Sequence, residues 1–346
     1  MNSSARETAT QMYREAGQSA AVVRAQLGAN AELMDRLGER LRALAPPVVI
    51  TCARGSSDHA ATFAKYLIET RLGIPTCSAA PSVSSVYDAQ PRFGGALCLA
   101  ISQSGASPDL LATVRKARAA GALVIACVNA EQSPLADLAD HCIALAAGPE
   151  ISVAATKSFI ASLTAVAHLI SAWTGDRELG AALGSIPAHL DRAWSLDWSA
   201  ALPTLTATNN LYIVGRGVGL AVAQEAALKL KETCSLHAEA VSAAELRHGP
   251  MALVGAGFPV LIFSQNDAAR AGIETLAAEL AERRAAVMIA GSHCPGALRL
   301  PTEPAHPVIE PMLLIQTFYR LANALALARG HDPDHPPYLR KVTETL

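Results

Sequence analysis

The sequence repeats itself once. The stretch VVITCARGSSDHAA (48–61) reads as an apolar strand, a glycine turn and the start of a helix. LYIVGRGVGLAVA (211–223) has the same organisation, with Arg54-Gly55 falling on Arg216-Gly217 162 residues later. ALCLAISQSG (96–105) is matched by PVLIFSQND (259–267), where Ser102-Gln103 falls on Ser264-Gln265 at the same offset of 162. Third strands follow at ALVIACV (122–128) and AAVMIAG (285–291), and Glu150 precedes a long apolar helix as Glu310 does. A shared offset across separate motifs marks an internal duplication.

Each copy alternates apolar β runs with helical patterns of about 12–18 residues, the signature of a parallel sheet covered by helices on both faces. An amphipathic helical arm precedes the first copy, and the segment from Asp176 to Asn210 carries no strand run. The expected division is an arm over 1–44, a first domain over 45–180, a connection over 181–210, a second domain over 211–330 and a tail over 331–346.

Charge and hydropathy exclude several functions. With 28 basic and 30 acidic residues there is no electrostatic footprint for nucleic acid or an anionic membrane. No apolar run approaches the roughly 20 residues of a membrane span. The polar start MNSSARETATQMYREAGQ is no signal peptide. Seven cysteines without a C-x-x-C pair read as small buried thiols in a reducing compartment. The expected location is cytoplasmic.

In open α/β sheets ligands sit beyond the carboxyl ends of the strands, where helix N-termini point. AISQSGASPDLLATVRKA fits that position, with Pro108 as first helical residue and Ser107 as its N-cap. Hydroxyls, backbone N–H groups and a helix dipole converge there without bulky side chains, which suits a phosphate dianion. A serine-rich turn that merely caps a helix would look similar. No Gly-Lys-Ser/Thr is present, so this is not a nucleotide P-loop. The second copy reads Ser264-Gln265-Asn266-Asp267, losing the glycine and gaining a negative charge, so one phosphate site per chain is expected. Gly215-Arg216-Gly217-Val218-Gly219 faintly suggests a dinucleotide loop, but the acidic residue such a loop needs about 20 positions on is missing.

The motifs G-S-S at 55–57, S-Q-S-G at 102–105, E-I-S-V-A-A-T-K at 150–157 and G-R-G at 215–217 occur in one order with E-A-A-L-K-L-K-E-T-C-S-L-H-A-E-A-V-S-A-A-E-L-R-H-G-P at 225–250. With the D-x-P stretch at 332–336 and Leu339-Arg340-Lys341, they resemble the sugar isomerase (SIS) domain family from about residue 12 onward. The likeness is to the isomerase half of glucosamine-6-phosphate synthase and to free-standing deaminases. It implies two tandem flavodoxin-like three-layer αβα domains with parallel sheets. It also implies roles. Ser57, Ser102, Gln103, Ser104 and Ser107 match phosphate and sugar contacts, and Val153 and Ala155 match positions lining the sugar. Glu232 matches the carboxylate that moves a proton between C1 and C2, and His248 the ring-opening histidine, supplied in the family by a neighbouring subunit. Lys229 and Glu225 match supporting residues, and Lys341 a C-terminal lysine that engages the open-chain carbonyl.

Interconverting a 2-amino aldose and a 2-ketose needs ring opening and proton transfer through an enolamine. A carboxylate can serve both carbons and a histidine can protonate the ring oxygen near neutral pH. Glu225, Lys229 and Glu232 share one helix face, which without the resemblance reads as a solvated charged stripe with ordinary ion pairs. The synthase carries a glutaminase ahead of its isomerase half, whereas this module begins almost at Met1. Without channelled ammonia, mass action favours release of the amine. The form S-Q-S-G-x-S-P-D also resembles the deaminases. The expected activity is therefore deamination of glucosamine 6-phosphate to fructose 6-phosphate. Alternatives are ammonia- or glutamine-linked synthesis of glucosamine 6-phosphate, action on another hexosamine phosphate, aldose–ketose isomerisation, or a non-catalytic sugar-phosphate sensor. A homodimer with shared sites is expected, with no metal and no organic cofactor.

Overall fold

The structure, a computed structural model, describes residues 7–341. The start of the arm and the tail residues after Lys341 lie outside the described residues.

Two five-stranded parallel sheets carry the duplication. The first holds β1 (Val49–Cys52), β2 (Thr76–Ser78), β3 (Leu97–Ser102), β4 (Leu123–Val128) and β5 (His141–Ala144) in the order β2-β1-β3-β4-β5. The second holds β6 (Asn210–Gly215), β7 (His237–Ser242), β8 (Pro259–Phe263), β9 (Ala286–Ala290) and β10 (Leu298–Leu300) in the order β10-β9-β8-β6-β7. Read from the other edge, that is the same order, as a duplicated α/β domain requires. Register aligns Val49 with Leu97 and Leu97 with Leu123 in the first sheet, and Tyr212 with Val260 and Val260 with Val287 in the second.

The helices in chain order are α1 (Gln11–Gly17), α2 (Ser19–Leu44), α3 (Ser56–Leu72), α4 (Pro81–Ser85), α5 (Pro108–Ala119), α6 (Pro134–Leu138), α7 (Lys157–Thr174), α8 (Arg177–Ser195), α9 (Leu202–Thr206), α10 (Gly219–Cys234), α11 (Arg270–Glu282) and α12 (Glu310–Ala328). The chain forms two compact units. One comprises Ala21–Pro149, Ser158–Gly184 and the chain from Arg340, and holds the first sheet. The other comprises the chain up to Ala20, Glu150–Lys157 and Ser185–Leu339, and holds the second. The amphipathic arm is thus two helices. The Gln18 N–H bonds back to the Ala16 and Glu15 carbonyls, and α1 belongs with the second sheet while α2 from Ala21 on belongs with the first.

Central strands are buried along their whole length because helices cover both faces. In the first unit Ile50, Cys98, Ala100 and Val124 pack with Leu110 and Val114 of α5. In the second, Val214, Val260 and Ile262 pack with Ile273, Leu276 and Leu280 of α11. Each fully buried aliphatic chain contributes about 1.5–3 kcal/mol. The edge strand β5 is covered rather than left open. Asn30 of α2 donates to the Ala144 carbonyl at 2.8 Å and accepts from its N–H at 3.2 Å. Five cysteines are buried as expected. Cys77, on the short edge strand β2, is exposed, and Cys142, on the edge strand β5, is half-buried. Among the described residues no helix is long and apolar enough to cross a membrane.

Candidate functional site

In the first-sheet unit, the order β2-β1-β3-β4-β5 places the topological switch point between β1 and β3, the position beyond the carboxyl ends of the strands where open α/β sheets bind ligands. The loops following these two strands carry Ser57 and the run Ser102 to Ser107. Gly55, with φ of 55°, turns the chain into α3, and Ser57 sits half-buried in its first turn. After β3 the buried Ser102 hydroxyl accepts the Gly105 N–H at 3.0 Å, closing a tight loop. Gln103 and Ser104 are half-buried on it, and the Ala106 N–H lies 3.4 Å from the Ser104 hydroxyl. Gly105 has φ of 63°, and a Cβ there would run into the Ser133 side chain. Ser107 does occupy the N-cap of α5, yet its hydroxyl makes no capping bond, so the positive end of α5 opens toward this loop.

One bond that the sequence did not reveal holds the two loops together. Arg54 Nε and Nη2 donate to one oxygen of Asp109 at 2.9 and 2.6 Å, and Asp109 is almost wholly buried in the first turn of α5. A buried carboxylate at a helix N-terminus would repel a dianion, and the Arg54 guanidinium offsets that charge.

The second copy is built differently. Gln265, fully buried, donates from Nε2 to the Arg216 carbonyl at 2.8 Å and to Asp267 at 2.9 Å. Its side-chain oxygen presses on Gly219, where a Cβ would collide with it. Asp267 caps the Ala269 N–H at 2.8 Å, and Glu310 accepts the Asn266 N–H at 2.6 Å. This turn is filled by its own side chains and carries added negative charge.

The second-sheet unit holds the charged row on α10. Lys229 lies 3.3 Å from Glu225 and 2.5 Å from Glu232. Glu225 and Lys229 are fully buried, whereas the Glu232 side chain keeps 19% of its surface exposed. The solvated-stripe reading therefore does not hold, and only the end of the row reaches the surface. Burial works against the charge on Lys229, but Glu225 and Glu232 outweigh it and hold the ammonium above the ordinary lysine range. Tyr319 of α12, also fully buried, completes the cluster. Burial, then the Glu225, Glu150 and Glu232 carboxylates around it, raise its phenol well above the ordinary tyrosine range, so it stays protonated. Within T-F-Y-R-L-A-N it reads as one more core aromatic, and nothing local distinguishes it.

The loop carrying Val153 and Ala155, both half-buried, belongs to the same unit. Glu150 closes it by accepting the Thr156 N–H at 2.9 Å, much as the matched Glu310 ties a loop in the second copy. His248 ends a 3-10 turn over Glu245–His248 and is exposed, beside an Arg247 that pairs through both nitrogens with Glu279 at 3.0 Å. Lys341 is the last described residue and is half-buried. The structure thus gathers Glu225, Lys229 and Glu232 with the 150–156 loop in one unit, and Ser57 with Ser102 to Ser107 in the other.

The SIS domain family matches this chain over residues 47–172 and 204–293, together more than half of it. A glutamine–fructose-6-phosphate aminotransferase (isomerizing) of Aeropyrum pernix is 36% identical over 309 residues, covering 83% of this chain and 49% of its own. The chain therefore spans about half the length of the aminotransferases it matches. Among solved structures, one from Silicibacter pomeroyi assigned to the phosphosugar isomerases is 44% identical. It superposes with a TM-score of 0.90 over 94% of this chain and all of that one. The C-terminal domain of a glucosamine-fructose-6-phosphate aminotransferase from Francisella tularensis is 25% identical, with a TM-score of 0.84 over 95% and 98% of the two chains. Twin parallel sheets in one strand order agree with these matches, and the chain belongs to the SIS-domain family.

Proposed function

We propose that the chain is a phosphosugar enzyme that deaminates glucosamine 6-phosphate: glucosamine 6-phosphate and water give fructose 6-phosphate and ammonia. The observation that carries this reading is the α10 row, in which two buried groups present a single carboxylate, Glu232, at the surface. His248 protonates the ring oxygen and opens the sugar. Glu232 removes the C2 proton of the open aldehyde to form an enolamine and returns it to C1. Water then attacks the resulting C2 imine and expels ammonia. The C–N bond breaks, a C=O bond forms at C2, and no electrons leave the substrate. Lys229 holds Glu232 in place, and Lys341 engages the open-chain carbonyl. The loop of Ser102, Gln103, Ser104 and Ser107, with Ser57, takes the phosphate, while Val153, Ala155 and Glu225 contribute to the sugar side. With water as the second reactant this is the reaction these residues can complete by themselves. In a homodimer His248 would serve the partner's sugar.

The test is release of ammonia and fructose 6-phosphate from glucosamine 6-phosphate by purified protein. Turnover supports the reading; saturable binding without turnover overturns the reaction. The aminotransferase matches favour the same proton transfer run backward as a second reading. Ammonium and fructose 6-phosphate in the same assay measure it.

Gly105→Ala tests the phosphate loop. A left-handed alanine costs about 1–2 kcal/mol, and its methyl group meets Ser133. KM for the sugar phosphate and Ki for inorganic phosphate should both rise about tenfold with kcat nearly unchanged, the pattern of lost uniform binding. An unchanged phosphate Ki would remove this loop from the site.

A further inference from the structure

The 150–156 loop is anchored from a helix far away in sequence. Glu15, on α1, is only 4% exposed, and its two carboxylate oxygens divide between consecutive backbone donors of the loop. One accepts the Ile151 N–H and the other the Ser152 N–H, the latter at 3.1 Å. Neighbouring bonds repeat the pattern. Lys157, at the end of the loop, donates to Gln18 at 2.8 Å, just after α1. The Val153 N–H reaches the Asp334 carbonyl at 3.4 Å, and the Asp334 carboxylate accepts the Gln11 and Met12 N–H groups of α1 at 2.8 Å each. The loop, α1 and the segment at Asp334 are thus one hydrogen-bonded piece inside the second-sheet unit.

That piece lies in the same unit as the charged row, and Glu150, at the root of the loop, is buried and accepts the Thr156 N–H at 2.9 Å. Burial pushes the Glu15 carboxyl up, the Ile151 and Ser152 N–H groups pull it back, and the remaining influences come from Glu150 and Lys157. Both of the backbone N–H groups that its carboxylate accepts belong to the loop segment 150–157. A carboxylate is suited to this task because two adjacent backbone donors need two acceptors. Glutamine offers one acceptor and turns an NH2 group toward the other N–H.

We infer that Glu15 is a positioning residue of the sugar site, fixing through Ile151 and Ser152 the loop that carries Val153 and Ala155. The inference rests on the function proposed above, and makes α1 a working part of the site rather than an appendage.

The experiment compares wild type, Glu15→Gln and Glu15→Asp. It reads amide exchange at 151–152, the Kd for glucosamine 6-phosphate and fructose 6-phosphate, the Ki for inorganic phosphate, and kcat. In Glu15→Gln we expect exchange at 151 and 152 at least tenfold faster. The sugar-phosphate Kd and KM should rise about tenfold, kcat should stay within threefold and the phosphate Ki should not change. Glu15→Asp, which keeps both acceptors one methylene short, should fall between and keeps the test open if the glutamine variant does not fold. Sugar affinity equal to wild type despite faster exchange overturns the inference. So does a parallel loss of phosphate and sugar affinity, which would mark general destabilisation. Wild type that binds these sugars without turning them over overturns the proposed reaction and leaves the Glu15 comparison in force.

Discussion

Replacing Glu232 by glutamine is expected to lower kcat about a thousandfold while leaving the fold and substrate affinity nearly intact. General acid–base groups contribute roughly 10²–10⁴ in rate, and here one carboxylate is asked to serve both C2 and C1. An amide of the same shape cannot accept and return the proton. It can still accept a hydrogen bond from Lys229, now 2.5 Å from the carboxylate, so the α10 row should stay in register. The 19% of the side chain left exposed allows the new amide to be solvated. The Tm should therefore shift by only a few degrees. Initial rates of fructose 6-phosphate release, with binding measured separately, provide the check. Residual activity within tenfold of wild type would take the proton transfer away from Glu232. A matching loss of binding would show that Glu232 holds the substrate rather than converting it.

Much of this architecture was legible in the sequence because duplication doubles each signal. Strands β1, β3 and β4 and their partners β6, β8 and β9 stood out because both faces are covered, which forces unbroken apolar runs. The edge strands did not. β2 and β10 have three residues each, and HAEAVS of β7 fully buries only Ala238 and Val241, so no unbroken apolar run marks it. The helix face shared by Glu225, Lys229 and Glu232 was visible from spacing, but its burial was not. Spacing fixes which side chains are neighbours, and only the packing of α12, with Tyr319, decides whether water reaches them. Arg54–Asp109 and Glu15 with Ile151 and Ser152 were hidden for another reason. They join residues 55 and 136 or more positions apart through one side chain, leaving no periodic trace.

The largest effect on stability is expected from Lys229→Met. Methionine nearly matches the lysine stem in length and apolar character, so the change removes the ammonium and leaves the packing almost untouched. It takes the ammonium away from Glu225, which has no exposed surface, and from Glu232. Removing one partner from a buried ion pair costs about 3–5 kcal/mol, because the remaining charge has lost its compensation. Lys229 is held above the ordinary lysine value, so the sign of its pH dependence is fixed. Its contribution is complete below about pH 10.4 and is lost only as the pH rises through the raised value. The deficit of Lys229→Met should thus be nearly constant across neutral pH and shrink in strong alkali. Activity should fall with stability, since Glu232 loses the donor that orients it. The double variant Glu225→Gln/Lys229→Met separates the two effects. Neutralising the stranded carboxylate should restore more than half of the lost stability, a coupling expected of contacting residues, while activity stays low. Denaturant midpoints of the single and double variants decide the matter. Additive losses would mean that the row is not an electrostatic unit, and recovery of stability without activity would mean that the buried pair exists to aim Glu232.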